Sequence, residues 1–216
     1  MHKRSITIAI LLALLVGHAI AITSATSSAT VVYTLDPSRS KFMAHADASG
    51  LFWFKGHGHH LDASDFTGQV ELTPQSITPA SLRLVVKAAS LHETGAVFTD
   101  QQKQIINKEL HDIVLLPDQY PEIIFQSTSV TAKPAATGAK GGSYEVKLTG
   151  DLTLHGVTRP IEIPATVTIN GNEMRAVGNF SINRDDYKVK ATSAFHGFVR
   201  VSNHVKFEFD IVGKSQ

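Results

Sequence analysis

Cysteine is absent from this 216-residue sequence. Its absence excludes disulfides, thiolate metal sites, cysteine nucleophiles and the lipidated cysteine of a lipoprotein. An excess of charge of one sign is lacking too, because 20 basic and 19 acidic residues give a net charge of +1. A nearly neutral chain lacks the excess of positive charge with which proteins bind nucleic acid or an anionic surface. We therefore expect no nucleic-acid partner.

Catalytic motifs are also scarce. The sequence holds no Gly-x-Ser-x-Gly elbow, no phosphate-binding glycine loop and no calcium loop. His92-Glu93 begins a His-Glu-x-x-His zinc motif but lacks the second histidine. Arg184-Asp185-Asp186 is a candidate for acid–base chemistry, and an exposed charged turn between strands accounts for it more simply. We predict no catalytic residues and therefore no enzyme.

The N-terminal residues have the pattern of a signal peptide. Lys3 and Arg4 form a basic patch. An uncharged apolar run follows over residues 6–16, shorter than the about 20 residues that cross a bilayer, and the small residues Ala19 and Ala21 offer a cleavage site just beyond it. We predict export to the periplasm and three segments: a signal peptide over residues 1–21, a flexible leader over 22–30 and a single domain over 31–213.

Beyond the leader, apolar and polar residues alternate with period two. Over residues 144–154 every second residue is apolar apart from Gly150, which marks a bend or a close approach. The pattern recurs over residues 161–169 and 174–182, and Asn170-Gly171-Asn172 between them predicts a hairpin turn. Such alternation is typical of half-buried antiparallel strands.

The pattern predicts eight or nine strands in all. The others cover about residues 41–48, 66–72, 82–90, 122–130 and 205–211. So many amphipathic strands must close into a barrel or fold into two layers, since otherwise their edges stay unpaired and their apolar face meets water. An eight-stranded barrel has an interior wide enough for side chains or for one slender ligand.

One segment has helical rather than strand spacing. Its apolar residues are Ile105, Ile106, Leu110 and Ile113. Thr99 and Gln102 form the sequence signature of a capping box just before this stripe. We predict one short helix from about Asp100 to Leu110, packed across one end or side of the sheet.

Four motifs occur in the order found in a known family. They are Tyr33-Thr-Leu-Asp36-Pro37 with Ser40, Tyr120-Pro121-Glu122-Ile123 with Phe125 and Ser127, Gly150-Asp-Leu-Thr-Leu-His155-Gly156-Val157-Thr158-Arg159-Pro160, and Arg184-Asp-Asp-Tyr187. In these motifs the chain resembles the YceI-like polyisoprenoid-binding family over about residues 31–212. It is similar to the subgroup with a Gly-His-x-His segment, here Gly56-His57-Gly58-His59.

The resemblance implies an all-β fold, a lipocalin-like antiparallel β-barrel of about eight strands with one short helix. It also implies an export signal and a tunnel for an isoprenoid lipid, either a polyprenyl phosphate or an isoprenoid quinone. Each buried methylene contributes about 0.8 kcal/mol, so a few isoprene units outweigh the cost of ordering the lipid chain. We expect no cofactor besides this lipid. Transient contact with a membrane or a membrane protein, and a homodimer, are compatible with such a carrier.

The inward-facing residues supply the predicted lining and mouth of the tunnel. These are Phe42, Trp53, Phe125, Leu152, Leu154, Phe180, Ile182, Phe207 and Phe209, with Trp53 near a strand end at the mouth. The residue pattern alone favours a barrel filled by its own side chains, because filled small barrels are common. The family resemblance favours a hollow one.

Histidine is the other unusual feature. Of 11 histidines, three crowd into His57, His59 and His60. In a strand His57 and His59 share a face and could share a zinc, nickel or copper ion, while His60 faces the other way. His155 and His196 lie beside glycines at predicted turns and could join them. We assign His57, His59, His155 and His196 to a lipid head group or a metal, with no metal ligand firmly assigned.

Two functions of different class stay open at this point. The first is a lipid carrier. The second is a histidine-based metal-binding protein or a metal-dependent hydrolase with a filled barrel. An apolar ligand that survives purification supports the first, and a stoichiometric metal that is lost on mutation of His57 and His59 supports the second.

Overall fold

The computed structural model describes residues 29–50, 56–135, 142–194 and 199–216, which are mostly β-structure. Their strands join one antiparallel sheet. The strands are β1 (Val31–Leu35), β2 (Lys41–Ser49), β3 (His59–Ala63), β4 (Phe66–Thr73), β5 (Ile77–Lys87), β6 (Leu91–Glu93), β7 (Glu122–Pro134), β8 (Gly142–Leu154), β9 (Val157–Asn170), β10 (Glu173–Asn183), β11 (Ser193–Ala194) and β12 (Val199–Ser215). The predicted all-β class is confirmed.

Eight of these strands close into a barrel. The ring runs β1-β4-β5-β7-β8-β9-β10-β12, and β12 pairs with β1 to complete it. Every neighbouring pair in the ring is antiparallel. The prediction of a closed antiparallel barrel of about eight strands is therefore confirmed.

One part of the wall is built from interrupted strands. Short 3-10 turns at Pro37–Arg39 and Ala88–Ser90 separate β1 from β2 and β5 from β6, and Ser64 and Asp65 separate β3 from β4. The strands on the other side of these breaks extend the sheet from β12, because β2 lies beside β12, β3 beside β2, and β6 beside β3. The strand predicted over about residues 82–90 is thus β5, which begins earlier and ends where the turn begins.

Glycine is required at two points of the barrel. Gly171 has a φ of +59° in the two-residue turn between β9 and β10, where Asn170 pairs with Glu173, so the predicted hairpin is confirmed. At Gly150 a Cβ atom would lie 2.5 Å from the carbonyl oxygen of Gln126 and 2.6 Å from the ring of Phe125. The predicted close approach at Gly150 is therefore confirmed too.

Helix α1 (Asp100–Glu109) begins at the predicted cap. The Gln102 backbone N–H donates to the Thr99 hydroxyl at 3.3 Å, and the Thr99 N–H donates to the Gln102 side chain at 2.8 Å. A π-helical turn, Leu110–Leu115, continues it. The apolar stripe is only partly covered, because Ile105 is 57% exposed and Leu110 is buried. Among the described helices, none is long and apolar enough to span a bilayer.

Candidate ligand-binding site

The barrel is hollow. A cavity of about 500 Å³ lies between α1 and the barrel wall, and a second space of about 110 Å³ lies deeper in the barrel. The two spaces share five wall residues: Phe42, Val86, Ile123, Leu152 and Phe180. They are therefore neighbouring parts of one interior, of a size ordinary for ligand sites, about 300–1,000 Å³.

The deeper space is apolar. Its wall comes from the ring strands, and Ser81 is the only polar residue among the described residues that line it. Buried core side chains such as Leu72 and Met174, at 1% and 2% exposure, form part of the wall. A group placed here would meet hydrocarbon on all sides, so this part of the site selects for an apolar chain.

The predicted lining residues fall along this interior. Leu154, Ile182 and Phe207 line the larger cavity, and Phe125 and Phe209 line the deeper space. Phe42, Leu152 and Phe180 lie on the wall shared by both. The Phe180 and Phe207 rings stack with centroids 4.8 Å apart. Trp53 lies outside the described residues.

The larger cavity has a polar side, which we call the mouth. Its residues are His57, His59, Gln102, Glu109, Arg184, Lys190, Thr192, Ser193 and Arg200. Arginine and lysine supply three of the charges there, and Glu109 supplies the only carboxylate among the described lining residues. Three cations and one carboxylate therefore line the mouth, and two further carboxylates lie next to it: Asp185, which pairs with Arg184 at 2.7 Å, and Glu93, which lies 2.8 Å from His59.

Arg184 corrects a sequence prediction. The Arg184-Asp185-Asp186 segment forms a turn after β10 with Asp185 and Asp186 exposed, as predicted, but the Arg184 side chain is only 16% exposed and lines the cavity. Its guanidinium donates to the carbonyl oxygens of Ser202 and Val189, at 3.2 Å and 2.8 Å. These bonds join β12 to the segment after β10, and they hold the cation at the cavity wall.

Glu93 is a buried carboxylate behind the mouth. Its side chain is 0% exposed. One oxygen accepts from the backbone N–H groups of His60 at 3.1 Å and Gly95 at 2.7 Å, and the other lies 2.8 Å from Nδ1 of His59. A buried charge is tolerated only when it is paired and hydrogen-bonded in this way. No sequence prediction assigned a role to this residue.

These contacts decide the ionisation of Glu93. Burial acts to raise its pKa, but the hydrogen bonds from His59, Gly95 and His60 together hold the pKa below the ordinary value of 4.5. The ionised carboxylate accepts only, so the proton of a neutral His59 ring sits on Nδ1. Its Nε2 edge is then left for contacts other than the one to Glu93.

The segment between β6 and α1 packs onto the same histidines. The Phe98 ring stacks on His59 at a centroid distance of 5.4 Å and an angle of 14°, and its edge meets His57 at 5.8 Å. The Glu93 backbone N–H donates to the Asn107 side chain at 2.7 Å. Helix α1, the connecting segment and β3 therefore meet at Glu93. His57 precedes β3 and is not part of a strand, but it lines the larger cavity together with His59.

The remaining histidines lie elsewhere. His60 faces outward, as predicted, with its Nδ1 3.0 Å from Nδ1 of His45. His155 does not line the cavity with His57 and His59; it sits at the β8–β9 turn with a φ of +53° and packs on Tyr120 at 4.0 Å. Burial, aided by the Lys190 charge, lowers the His155 pKa. His196 lies outside the described residues.

A metal centre of three or more ligands is not formed by the described histidines and carboxylates. At the mouth, Nδ1 of His59 is directed to Glu93, and the ring of His155 lies against Tyr120. The described residues of the mouth therefore do not form the multi-ligand metal site that the sequence left open.

Solved structures resemble this barrel. BcnA from Burkholderia cenocepacia superposes with a TM-score of 0.61 at 22% identity, covering 82% of this chain and 98% of that one. A polyisoprenoid binding domain from Saccharophagus degradans, implicated in plant cell wall breakdown, gives 0.60 at 16% identity, over 86% and 99%. At these identities the likeness establishes the fold.

Sequence relatives give the family. A UPF0312 protein of Pseudomonas savastanoi pv. phaseolicola is 32% identical over 137 residues, which is 61% of this chain and 64% of that protein. A UPF0312 protein of Vibrio parahaemolyticus is 32% identical over 108 residues, 50% and 49% of the two chains. The matches thus span less than two thirds of these relatives. The YceI-like domain pattern matches residues 33–213, and the chain belongs to the YceI-like family.

Proposed function

We propose that this protein binds a long apolar isoprenoid lipid, a polyprenyl phosphate or an isoprenoid quinone, inside the barrel. The observation that carries the proposal is the pair of neighbouring spaces inside the barrel, of which the deeper one is apolar and the larger one has a polar mouth. A ligand with one long hydrocarbon chain and one polar end matches both parts. The polyisoprenoid binding domain of Saccharophagus degradans, which shares the fold, supports the same ligand class.

The apolar wall supplies the binding free energy. Each methylene that leaves water contributes about 0.8 kcal/mol, and the interior offers aromatic and aliphatic surface from Phe42 to Phe209. Because such contacts are not directional, the wall favours chains of suitable thickness without selecting one lipid. Selectivity then depends on the mouth.

The mouth favours an anionic head group. Arg184, Lys190 and Arg200 line the mouth together with Glu109, Arg184 is also paired with Asp185 at 2.7 Å, and His59 is oriented by Glu93. Cations around a partly enclosed site attract phosphate more strongly than a neutral ring. We therefore favour a polyprenyl phosphate over a quinone, with His57 and His59 among the residues that contact the head group.

The wider role follows from the same proposal. The N-terminal pattern of residues 1–21 supports export to the periplasm, where such a protein would carry its lipid, in passing contact with membranes or membrane proteins. The Gly56-His57-Gly58-His59 segment supports placement in the subgroup of the family that has this motif. The role is binding, and we propose no catalytic residue and no cofactor beyond the lipid.

Mass spectrometry of organic extracts tests the proposal. Protein purified without an affinity tag from isoprenoid-producing cells should release a polyprenyl compound or quinone. Ala46→Phe adds a ring inside the larger cavity, where Ala46 is 7% exposed, and should retain at least tenfold less lipid. Val177→Phe, on an outward position that is 45% exposed, is the matched control. Equal lipid in both folded variants, or no lipid in the unmodified protein, would overturn the proposal.

A further inference from the structure

Two histidines face each other on the outside of the barrel. His45 on β2 is the direct cross-strand partner of His60 on β3. The neighbours Ala44, Ala46 and Leu61 line the cavity, so the alternation of each strand turns both imidazoles to the outer face. The pair is therefore separated from the mouth by the wall itself.

Each ring approaches the other through its Nδ1 atom. Their Nδ1 atoms are 3.0 Å apart, and the ring planes cross at 87° with centroids 4.6 Å apart. Two neutral imidazoles can share one proton across this gap. Two ring nitrogens with lone pairs at this separation can also bind one metal ion.

We propose that His45 and His60 chelate a divalent transition metal of the copper(II) or nickel(II) class. With about 2.1 Å between metal and nitrogen, a 3.0 Å separation corresponds to an angle of about 90° at the metal. That is the angle between adjacent ligands in tetragonal or octahedral geometry, whereas tetrahedral zinc requires a wider one. Imidazole is a preferred ligand of both metals.

The surroundings of His45 fit a metal-bound imidazole. Its Nε2 is buried and has no hydrogen-bond partner, and the nearest carboxylate oxygen, of Glu208, is 3.7 Å away. The Glu208 side chain is 59% exposed, so it can rotate to accept from Nε2–H. A metal-bound histidine ordinarily donates its second N–H to such a carboxylate. Lys206 on β12 is the cross-strand partner of His45, and its positive charge disfavours a bound cation. The negative charge of Glu208 offsets the charge of Lys206.

The rest of the coordination comes from water. Within the described parts of the chain, no third histidine or carboxylate converges on the pair, and the exposed His60 leaves room for solvent ligands. His59 is the neighbour in sequence, but its Nδ1 is directed to Glu93 on the other side of the sheet. The site is thus independent of the lipid proposal and of the mouth histidines.

Copper(II) titration of tag-free protein, followed by calorimetry and electron paramagnetic resonance, tests this site. One equivalent should bind with an equatorial nitrogen signature and raise the melting temperature. His45→Ala and His60→Ala should each weaken binding at least tenfold and abolish the rise. His60→Gln provides a second variant in which the exposed position keeps a polar side chain.

His204→Ala, at an exposed position of β12, is the matched control and should bind copper as the unmodified protein does. His59→Ala tests whether the metal lies at the mouth instead, and it should keep one bound equivalent. If His59→Ala loses the metal while His45→Ala keeps it, the metal belongs to the mouth and the proposal is wrong. Absence of stoichiometric binding, or equal binding by all folded variants, would also overturn it.

Discussion

The two ends of the cavity are built differently. At depth the wall belongs to the ring strands, and its side chains are almost all apolar. At the mouth the wall belongs to interrupted strands, to α1 and to the segment after β10, and it carries charges and imidazoles. The difference teaches that the fold and the proposed choice of ligand depend on separate residues, since the apolar deep part stabilises the barrel and the polar mouth is the part that we propose binds a head group.

Near the mouth, hydrogen bonds to the buried carboxylate of Glu93 fix the positions of neighbouring segments, a task that apolar packing performs in the deep part. The deep part relies on apolar contacts, in which the fully buried Tyr33, Leu72 and Met174 take part. Near the mouth, hydrogen bonds to one carboxylate join β3, the connecting segment and the strand before α1. Directional bonds fix atom positions, which a head group needs and a hydrocarbon chain does not.

The largest expected effect comes from truncation at depth. Leu72→Ala should lower the free energy of unfolding by about 3 kcal/mol, because it removes buried methyl groups next to an existing cavity. Ile106→Ala on α1, where the side chain is half-buried, should cost about 1 kcal/mol. Urea unfolding measures both. Equal losses would mean that the mouth contributes as much to stability as the deep part.

A smaller effect is expected for Glu93→Gln. At neutral pH the free energy of unfolding of the variant should fall by about 2 kcal/mol. The glutamine amide has only one acceptor oxygen, so it cannot accept both from the two backbone N–H groups and from His59. Because folding lowers the Glu93 pKa, this stabilisation is complete above 4.5 and is lost as pH falls through the lower folded-state pKa. Thermal melts should therefore converge in acid. Glu109→Gln, an exposed mouth carboxylate, is the control and should show no such convergence.

The smallest expected effect concerns ligand choice. Replacing His57 and His59 with alanine should weaken binding of a polyprenyl phosphate about fivefold, the value of one lost hydrogen bond of about 1 kcal/mol. Binding of a quinone should change less, because its affinity comes from the deep wall. Titration with both ligands makes the comparison. Equal losses for the two ligands would show that the histidines act through the shape of the mouth and not through charge.

Local patterns made much of the barrel predictable. Alternation identified β8, β9 and β10, the Asn170-Gly171 turn set their connection, and Thr99 with Gln102 located the start of α1. Each of these signals lies within a few residues of the structure it specifies. The described residues that the alternation predicts to face inward lie on the cavity wall. Whether side chains fill the interior depends instead on packing between strands that are far apart in sequence.

The mouth was less predictable because its contacts join distant segments. In the sequence, His92-Glu93 matches only the beginning of a zinc motif. The residues that bond to the Glu93 carboxylate, His59 and His60, lie 34 and 33 residues away in the chain. The His45–His60 pair depends on the register between β2 and β3, which no turn signal specifies across residues 50–58. Ile105 is 57% exposed because it lines the larger cavity, where the described residues leave space beside α1.

The pairing of β1 with β12 has a consequence for how the chain folds. Among the described residues, the pairs that join these strands are Tyr33–Ser215, Thr34–Lys214 and Leu35–Gly213. The partners lie about 180 residues apart in the sequence, so the ring closes only when both strands are in place. Contacts of such long sequence separation form slowly. We therefore expect closure of the ring to be a late step of folding.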